Sequence, residues 1–535
     1  MLNPYTISKL PNITVRTVNS TAQQFWSFGR DVKRQSKAQS FLSESMIMKL
    51  LPGLTSLIFI SACSLITPPN IKPFTLHASA TPTGEIPITF EAQSGKTVAA
   101  FQGAFVVPEN RSSPDSRMLT LRYVRFPATG KKNGPPIVYL AGGPGGSGIA
   151  TAKWRRFPLF MAMREFGDVI ALDQRGTGAS NDMPECSSPF TIDDASALDD
   201  AKYIAMNQQA LRWCIGFWKD KGIDLNGYTT IESVNDLDAL RVHLGAKKIS
   251  LWGTSYGSHL SLAALKEMDD RIQKVVISSV EGLNQTIKRP ARTDAYFQRV
   301  QHAVNTDVLL QKKYPDIVDL MHRVHAKLDK APVLVEVPQK EGAPFPVHIQ
   351  SRILRQYASG LISDPQRAMS VLAVYRGLDQ DDTEPVTELL RRWHEPNAKI
   401  SFRPMSVIMD VASGITSERR SEIEDEAKTA VLGSFLNFTI HLLDVAPEYD
   451  LGDQFREKPV SDTPTLVLSG TLDGRTYVES QLEATSQLRN RQAVTVKNAG
   501  HNLFMSSPEV TTTILEFMRG KKVDRRIIEV DLPFK

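Results

Sequence analysis

Chemistry in this chain starts at one serine. Ser255 stands in Gly253-Thr254-Ser255-Tyr256-Gly257, after the apolar run Ile249-Ser250-Leu251-Trp252 and ahead of a helical pattern. That arrangement is a nucleophile elbow, in which a strand ends, a sharp turn lifts the serine clear of the sheet, and a helix starts beneath it. Glycine is needed on both flanks, because the turn packs so closely on neighbouring backbone that a Cβ would collide. A serine hydroxyl is a weak nucleophile at neutral pH, so a histidine base and an acid that orients it must exist elsewhere.

With an elbow, the acid and then the histidine follow the serine in the chain. Asp473 lies in Ser469-Gly470-Thr471-Leu472-Asp473-Gly474, just past the apolar run 465–468, and His501 lies in Asn498-Ala499-Gly500-His501-Asn502, just past the run 493–496. Of the ten histidines, His501 alone sits in a glycine-flanked loop after a last strand; the 28 residues from Asp473 leave room for one helix and one strand. His259 is close to Ser255 in sequence but lies inside the following helix, so it is not the base expected.

Negative charge on a reacting oxygen calls for donors. After Pro136-Ile137-Val138-Tyr139-Leu140 comes Ala141-Gly142-Gly143-Pro144-Gly145-Gly146-Ser147-Gly148, five glycines in eight residues, a loop stripped so that backbone N–H groups can face a ligand. No Walker lysine follows and no dinucleotide spacing is in place, which excludes the phosphate-cradle alternative. The loop reads as an oxyanion hole, its donors the amides of Gly143 and Tyr256, each worth a few kcal/mol in the transition state. Gly142, Pro144, Gly145 and Gly146 shape it. In Asp173-Gln174-Arg175-Gly176, Asp173 and Arg175 are expected to pair within their own loop and to buttress the glycine loop.

These residues need strands that end on one edge. Residues 97–107 and 118–126 are apolar and β-branched about a polar turn and read as an antiparallel pair; 136–140, 168–172, 249–252, 275–278, 465–470 and 493–496 read as buried strands. Helical spacing at 231–244 and 508–519 lies between and after them. The alternation makes a mostly parallel sheet with helices on both faces. From 282 to 461 the pattern turns helical, at 308–328, 351–361 and 422–443, with strand signal only at 333–337, so a helical domain is inserted between sheet parts 85–281 and 462–535.

Composition supports a folded enzyme-sized body. The 535 residues are 41% hydrophobic and 23% charged, as in soluble globular proteins. Residues 50–62 form an almost uncharged run after Lys49, too short to span a bilayer and ending in Ile60-Ser61-Ala62-Cys63. This is signal-peptide anatomy with a lipobox, making Cys63 the expected lipidation site; an ordinary secretory signal cut elsewhere, or a buried apolar strand, is the alternative. Such a signal begins near Met46 or Met48, leaving residues 1–47 as an upstream extension that does not fold, 48–62 as the signal and 63–84 as a Pro/Thr/Ser-rich tether. Residues 1–62 hold seven basic and two acidic side chains, leaving 56 of each beyond, so the net charge of +5 gives no support for a nucleic-acid partner. Export would allow Cys186 and Cys214, with 27 residues between them, to form a disulfide; two unlinked buried thiols are the alternative. No His or Cys cluster has metal-ligand spacing and no cofactor motif occurs.

Together, Gly142-Gly143-Pro144-Gly145-Gly146-Ser147-Gly148, Asp173-Gln174-Arg175-Gly176, Gly253-Thr254-Ser255-Tyr256-Gly257 and the late Asp473 and His501 resemble the proline iminopeptidase and tripeptidyl aminopeptidase family, with Tyr256 and the cysteines closer to its secreted tripeptidyl branch. The resemblance implies an α/β-hydrolase fold with a helical cap and hydrolysis near a free peptide amino terminus. With the lipobox at Cys63, the glycine loop and the order of the triad, the expectation is a lipid-anchored enzyme of the bacterial cell envelope that takes a peptide or a small acyl substrate. Ala141 departs from the His or Asn that relatives often carry there, and Thr439-Ile440-His441-Leu442-Leu443-Asp444 replaces their Cys-x-Glu-like cap segment. The amine-binding acid is therefore sought among Asp444, Glu448 and Glu281. An esterase or amidase on small acyl groups, and a hydrolase-fold binding protein without turnover, are the competing readings, and the sequence carries no sign of oligomeric state.

Overall fold

A computed structural model describes residues 84–131, 134–181 and 183–534. The extension, signal, Cys63 and all but the last residue of the tether lie outside the described residues.

Ten strands form one sheet. In chain order they are β1 (Ile86–Glu91), β2 (Thr97–Pro108), β3 (Met118–Phe126), β4 (Ile137–Leu140), β5 (Val169–Leu172), β7 (Ile249–Thr254), β8 (Ile272–Ser278), β12 (Thr465–Gly470), β13 (Arg491–Lys497) and β14 (Ile527–Glu529). Four more lie outside it: β6 (Cys186–Thr191), β9 (Val333–Val337), β10 (Phe345–Ile349) and β11 (Lys399–Phe402). Across the sheet the order is β1-β2-β3-β5-β4-β7-β8-β12-β13-β14. The pairings β1–β2, β2–β3 and β3–β5 are antiparallel and all later ones parallel. Every residue of β4, β5, β7 and β12 is buried, which is why they read as unbroken apolar runs rather than alternating ones.

Strand order runs outward from β4 in both directions, to β5 on one side and β7 on the other. The loops leaving β4 and β7 therefore part to opposite faces, and the crevice between them is where an open parallel sheet takes a ligand. Register brings their ends level: Leu140 pairs with Gly253, so the glycine loop and the serine turn leave the sheet side by side.

Helices α1 (Gly148–Lys153), α2 (Phe157–Met163), α3 (Asp200–Asp220), α4 (Thr230–His243) and α5 (Tyr256–Glu267) precede the inserted segment. Ten of the twelve residues of α5 are buried, so the helix under the serine is a core helix. The insertion carries α6 (Pro290–Val304), α7 (Val308–Lys313), α8 (Ile317–Lys330), α9 (Ser351–Leu361), α10 (Pro365–Asp379), α11 (Glu384–Trp393), α12 (Pro404–Ser413), α13 (Ser417–Glu426) and α14 (Gly452–Arg456); α15 (Val478–Ala484) and α16 (Pro508–Met518) complete the sheet.

The insertion is less purely helical than its sequence suggests. β9 and β10 form a short antiparallel hairpin, and β11 pairs with β6. Both missed strands are short, and Pro346 interrupts the β-branched signal of β10. Residues 308–328 form two helices, since Pro315 stops the first and the Asp316 carboxylate, accepting from the Asp319 amide at 2.9 Å, caps the second. Residues 422–443 also divide. α13 ends at Glu426, and a tighter 3-10 run, Gly433–Val445, follows with a kink at Asn437.

Among the described residues three large apolar cores result, beside a small cluster of Ile287, Ile415, Ile423 and Ile440. One lies against α4 and α5 on one sheet face, a second against α1, α2 and α16 on the other. The third is the cap's own, built from α6, α8, α9 and α10 with the β9–β10 hairpin, and it also contains Leu472 and Tyr477, which flank the Asp473 loop.

Candidate active site

The elbow has the strain its sequence implies. Ser255 sits at φ +53°, ψ −128°, outside the helix that starts at Tyr256. A Cβ on Gly253 would lie 2.3 Å from the Gly257 carbonyl oxygen, and one on Gly257 would lie 2.1 Å from that of Leu140, so no side chain fits at either flank. The Ser255 amide donates to the Ser278 carbonyl at 3.1 Å, tying the turn to β8.

The glycine loop lies on this turn. A Cβ on Gly142 would come within 3.0 Å of the Ser255 Cβ and 3.6 Å of its Oγ, so only glycine lets the loop reach the serine this closely. Gly143 has φ +131°. Among the described residues neither the Gly143 nor the Tyr256 amide has a backbone acceptor. Tyr256 opens α5, and its N–H is one of the free donors at a helix start, where the macrodipole favours negative charge.

Asp173 buttresses the glycine loop directly. Its carboxylate accepts from Ser147 Oγ at 2.6 Å, from the Ile149 amide at 3.0 Å and from the Ala179 amide at 2.7 Å. Burial raises its pKa, and these donors oppose the shift without cancelling it. Arg175 behaves differently from the expectation. It is fully buried but turns from the glycine loop to α4, donating to both Asp236 oxygens at 2.6 and 2.7 Å and to the Glu109 carbonyl at 2.6 Å. A buried guanidinium needs several acceptors, and α4 offers two acids where the Asp173 carboxylate is already committed. The second buttress is Gln174, which the sequence reading passed over; its Nε2 donates to the Ala141 carbonyl at 3.3 Å.

Asp473 and His501 meet. His501 Nδ1 lies 2.9 Å from Asp473 Oδ2. The other carboxylate oxygen accepts from the Arg475 and Thr476 amides at 2.8 and 2.9 Å, and Thr476 Oγ1 donates to Oδ2 at 2.5 Å. Burial works against ionisation here, but His501 and Thr476 outweigh it and hold the carboxyl below the usual carboxylate range. Ser279 connects this pair to the elbow's neighbour strand: its amide donates to the Leu468 carbonyl at 3.1 Å and its hydroxyl to the His501 carbonyl at 2.7 Å. His259 is committed to structure, its ring nitrogens 3.1 Å from the Gly282 carbonyl and 3.2 Å from Ser413 Oγ, and burial lowers its pKa.

The acids named for amine recognition separate. Asp444 is 68% exposed and bound to Arg420 at 2.7 Å, and Glu448 is 53% exposed, 3.7 Å from Lys219. Glu281 is buried next to the elbow, its amide accepted by Ser258 Oγ at 2.9 Å, but its carboxylate already holds Lys288 Nζ at 2.5 Å. The sequence reading missed a fourth acid, Asp410 of α12. This helix covers the glycine loop, Ser406 Oγ donating to the Pro144 carbonyl at 2.7 Å, and Asp410 follows one turn later. Among the described residues its carboxylate has no hydrogen bond or ion pair, and burial followed by Glu281 pushes its pKa up to about 7. A lone acid in the apolar run Met405-Ser406-Val407-Ile408-Met409-Asp410-Val411-Ala412 was the available signal.

Cys186 of β6 and Cys214 of α3 form a disulfide, Cα to Cα 5.7 Å. Among the described residues no helix is long and apolar enough to cross a membrane.

The α/β hydrolase fold family matches residues 135–320, and a family described as TAP-like protein matches 448–528. Among curated proteins, the chain is 31% identical over 191 residues to serine protease Hip1 of Mycobacterium tuberculosis, covering 35% of this chain and 36% of that protein. It is 26% identical over 232 residues to tripeptidyl aminopeptidase of Streptomyces coelicolor, 41% of this chain and 40% of the relative. It is 29% identical over 158 residues to a probable proline iminopeptidase of the same organism, 30% and 36% respectively. The chain thus spans about two-fifths or less of the length of these relatives. The glycine loop, the elbow and the Asp473–His501 pair all fall in the matched stretches; the chain has the α/β-hydrolase fold and is similar to tripeptidyl aminopeptidases and proline iminopeptidases.

Proposed function

We propose that the protein is an exported serine aminopeptidase that cleaves peptides near a free amino terminus through an acyl-enzyme. One observation carries this reading: Ser255 stands on a strained turn in contact with the glycine loop, while Asp473 and His501, paired at 2.9 Å on the loops after β12 and β13, are tied through Ser279 to the end of β8, the strand next to the elbow's. In the reaction, Ser255 Oγ attacks the scissile carbonyl carbon as His501 takes its proton. The tetrahedral oxyanion is held by the Gly143 and Tyr256 amides, and His501 then protonates the leaving amine. Water, deprotonated by His501, releases the acyl group and restores Ser255. Asp473 holds the imidazole tautomer and stabilises the imidazolium.

Amine recognition is assigned to Asp410, with Glu281 reinforcing its field. A substrate ammonium buried under the cap needs a carboxylate partner, and Asp410, one turn along α12 from the contact with the glycine loop, has no hydrogen bond or ion pair among the described residues. The disulfide supports export, and a lipid anchor at Cys63 would keep the enzyme at the cell envelope.

The test compares aminoacyl and tripeptidyl anilides bearing free or acetylated amino termini. Free termini are expected to be cleaved at least about tenfold faster, the size of one buried charge-assisted contact. Equal rates on blocked substrates would replace this reading by a hydrolase of small acyl groups, and no turnover of either would leave a binding protein.

A further inference from the structure

Both loops of the acid–base pair are fastened to one short stretch of the cap. Where α9 ends and α10 begins, the Ile362 carbonyl accepts the Gly474 amide at 3.2 Å and the Ser363 carbonyl accepts the His501 amide at 2.9 Å. Gly474 and His501 are the immediate neighbour of the acid and the base itself. One turn earlier in α9, Ser359 receives Arg475 Nη1 at its hydroxyl, 2.8 Å, and at its carbonyl, 3.2 Å. The Ser359 hydroxyl in turn donates a hydrogen bond to the Leu436 carbonyl at 2.5 Å, tying the kinked 3-10 run into the same knot.

Packing at these points leaves no slack. A Cβ on Gly474 would lie 2.5 Å from the Ile362 carbonyl oxygen, and one on Gly500 would lie 2.5 Å from Pro365 Cδ and 2.7 Å from the Ser363 carbonyl oxygen. The stretch is itself rigid, because Asp364 caps α10 through the Gln366 and Arg367 amides at 2.9 and 3.2 Å and Pro365 fixes the first helical residue. Leu472 and Tyr477, on either side of Asp473, are buried in the cap's apolar core rather than the sheet's.

We propose that residues 359–363 are a positioning strap, through which the seating of the cap sets the geometry of Asp473 and His501, with Ser359 and Arg475 as positioning residues. The cap is then part of the proton-transfer apparatus as well as a roof over the substrate. A cap that shifts away from the sheet takes the Gly474 and His501 backbones with it, while Ser255, whose amide is bonded to the Ser278 carbonyl of β8, stays where the sheet holds it. The inference rests on the serine-hydrolase reading of the site.

The test uses the full chain carrying Arg475→Ala, Arg475→Lys or Ser359→Ala. It measures kcat and KM on a free-amino-terminus peptide anilide, the pH profile of kcat/KM, and the rate of fluorophosphonate labelling per folded molecule. Displacements near 1 Å at a reacting pair cost up to about a hundredfold, so Arg475→Ala should lower kcat and labelling rate about 10- to 100-fold and leave KM within about threefold. Arg475→Lys should recover part of the loss, because its ammonium can still donate to Ser359 Oγ, and Ser359→Ala should cost about three- to tenfold. The acid limb of the pH profile should move in the alanine variants. A purely structural role would lower the yield of folded protein and leave turnover per labelled site and the acid limb unchanged. That result in both alanine variants overturns the strap, and if Arg475→Ala does not fold, the same result in Ser359→Ala alone overturns it. A parent protein that neither labels nor turns over refutes the hydrolase reading instead, and the strap with it.

Discussion

The two halves of the site are held by different parts of the molecule. Ser255 is fixed by main-chain contacts between fully buried strands, with Gly253 and Gly257 in approaches too close for any side chain and the glycine loop packed on its turn. Asp473 and His501 stand on β12 and β13, but their loops are bonded to residues 359–363 and flanked by cap core residues. The nucleophile turn is rigid because the sheet is rigid, whereas the acid–base pair, tied to the sheet through Ser279, also depends on how the cap is seated. On the proposed function a peptide must enter under the cap, and the strained, hard-to-rebuild element then stays on the sheet while the cap completes the remainder.

Substitutions should sort accordingly, from abrupt to graded. The largest effect is expected of Gly257→Ala, whose Cβ would meet the Leu140 carbonyl oxygen at 2.1 Å and must displace β4 or the elbow. Activity should fall at least about a thousandfold, close to the loss on removing the nucleophile, with a lower melting temperature. A variant that keeps more than a tenth of the parent kcat would show that the elbow is not locked by the sheet.

Asp473→Asn keeps the shape of the acid loop but reverses the hydrogen-bond preference at His501 Nδ1, so kcat should drop about a hundred- to ten-thousandfold while the fold persists. Circular dichroism and melting alongside kcat check both parts, and a loss below tenfold would remove Asp473 from the pair.

Asp410→Asn should raise KM for free-amine substrates about tenfold and leave blocked ones unaffected. In the parent, Asp410 is neutral below about pH 7, so KM for a free-amine substrate should fall as pH rises through 7, and this dependence should vanish in the variant. The sign for stability is opposite. With its folded pKa raised, Asp410 retains a proton that the unfolded chain releases, so stability declines as pH rises from about 4 to 7, and Asp410→Asn should be the more stable protein at pH 8. A KM that ignores both pH and substitution would move amine recognition elsewhere.

The smallest effect on catalysis is expected of Cys186→Ser with Cys214→Ser. The disulfide joins β6 to α3, and neither loop of the site contacts it through the bonds described above. Turnover should be unchanged and stability lower by about 3 kcal/mol, the loop-closure value for this span. Denaturant midpoints and kcat measured together decide this, since a matching loss of kcat would tie the bridge to the site.

How much of this was legible in the sequence follows the same division. The elbow, the glycine loop, Asp473 and His501 could be read because backbone contacts that tolerate only glycine, and strands buried on both faces, leave marks in local sequence. The sheet's parallel middle was readable for the same reason. What escaped depends on partners distant in sequence. Arg175 turns to Asp236 rather than to its own loop, Asp410 reaches the site only because α12 lies over residues 144–145, and β11 exists only through β6. Ser359 and Ser363 give no local sign of their bonds to Arg475 and His501, more than a hundred residues away.

The most direct measurement on the account as a whole is fluorophosphonate labelling followed by mapping of the modified peptide. The reagent should attach to Ser255, in parallel with loss of peptide-anilide cleavage, and both labelling and cleavage should be absent from Ser255→Ala. Label that persists in that variant, or maps to another residue, would contradict the assignment of Ser255 as nucleophile and with it the division of the site described here.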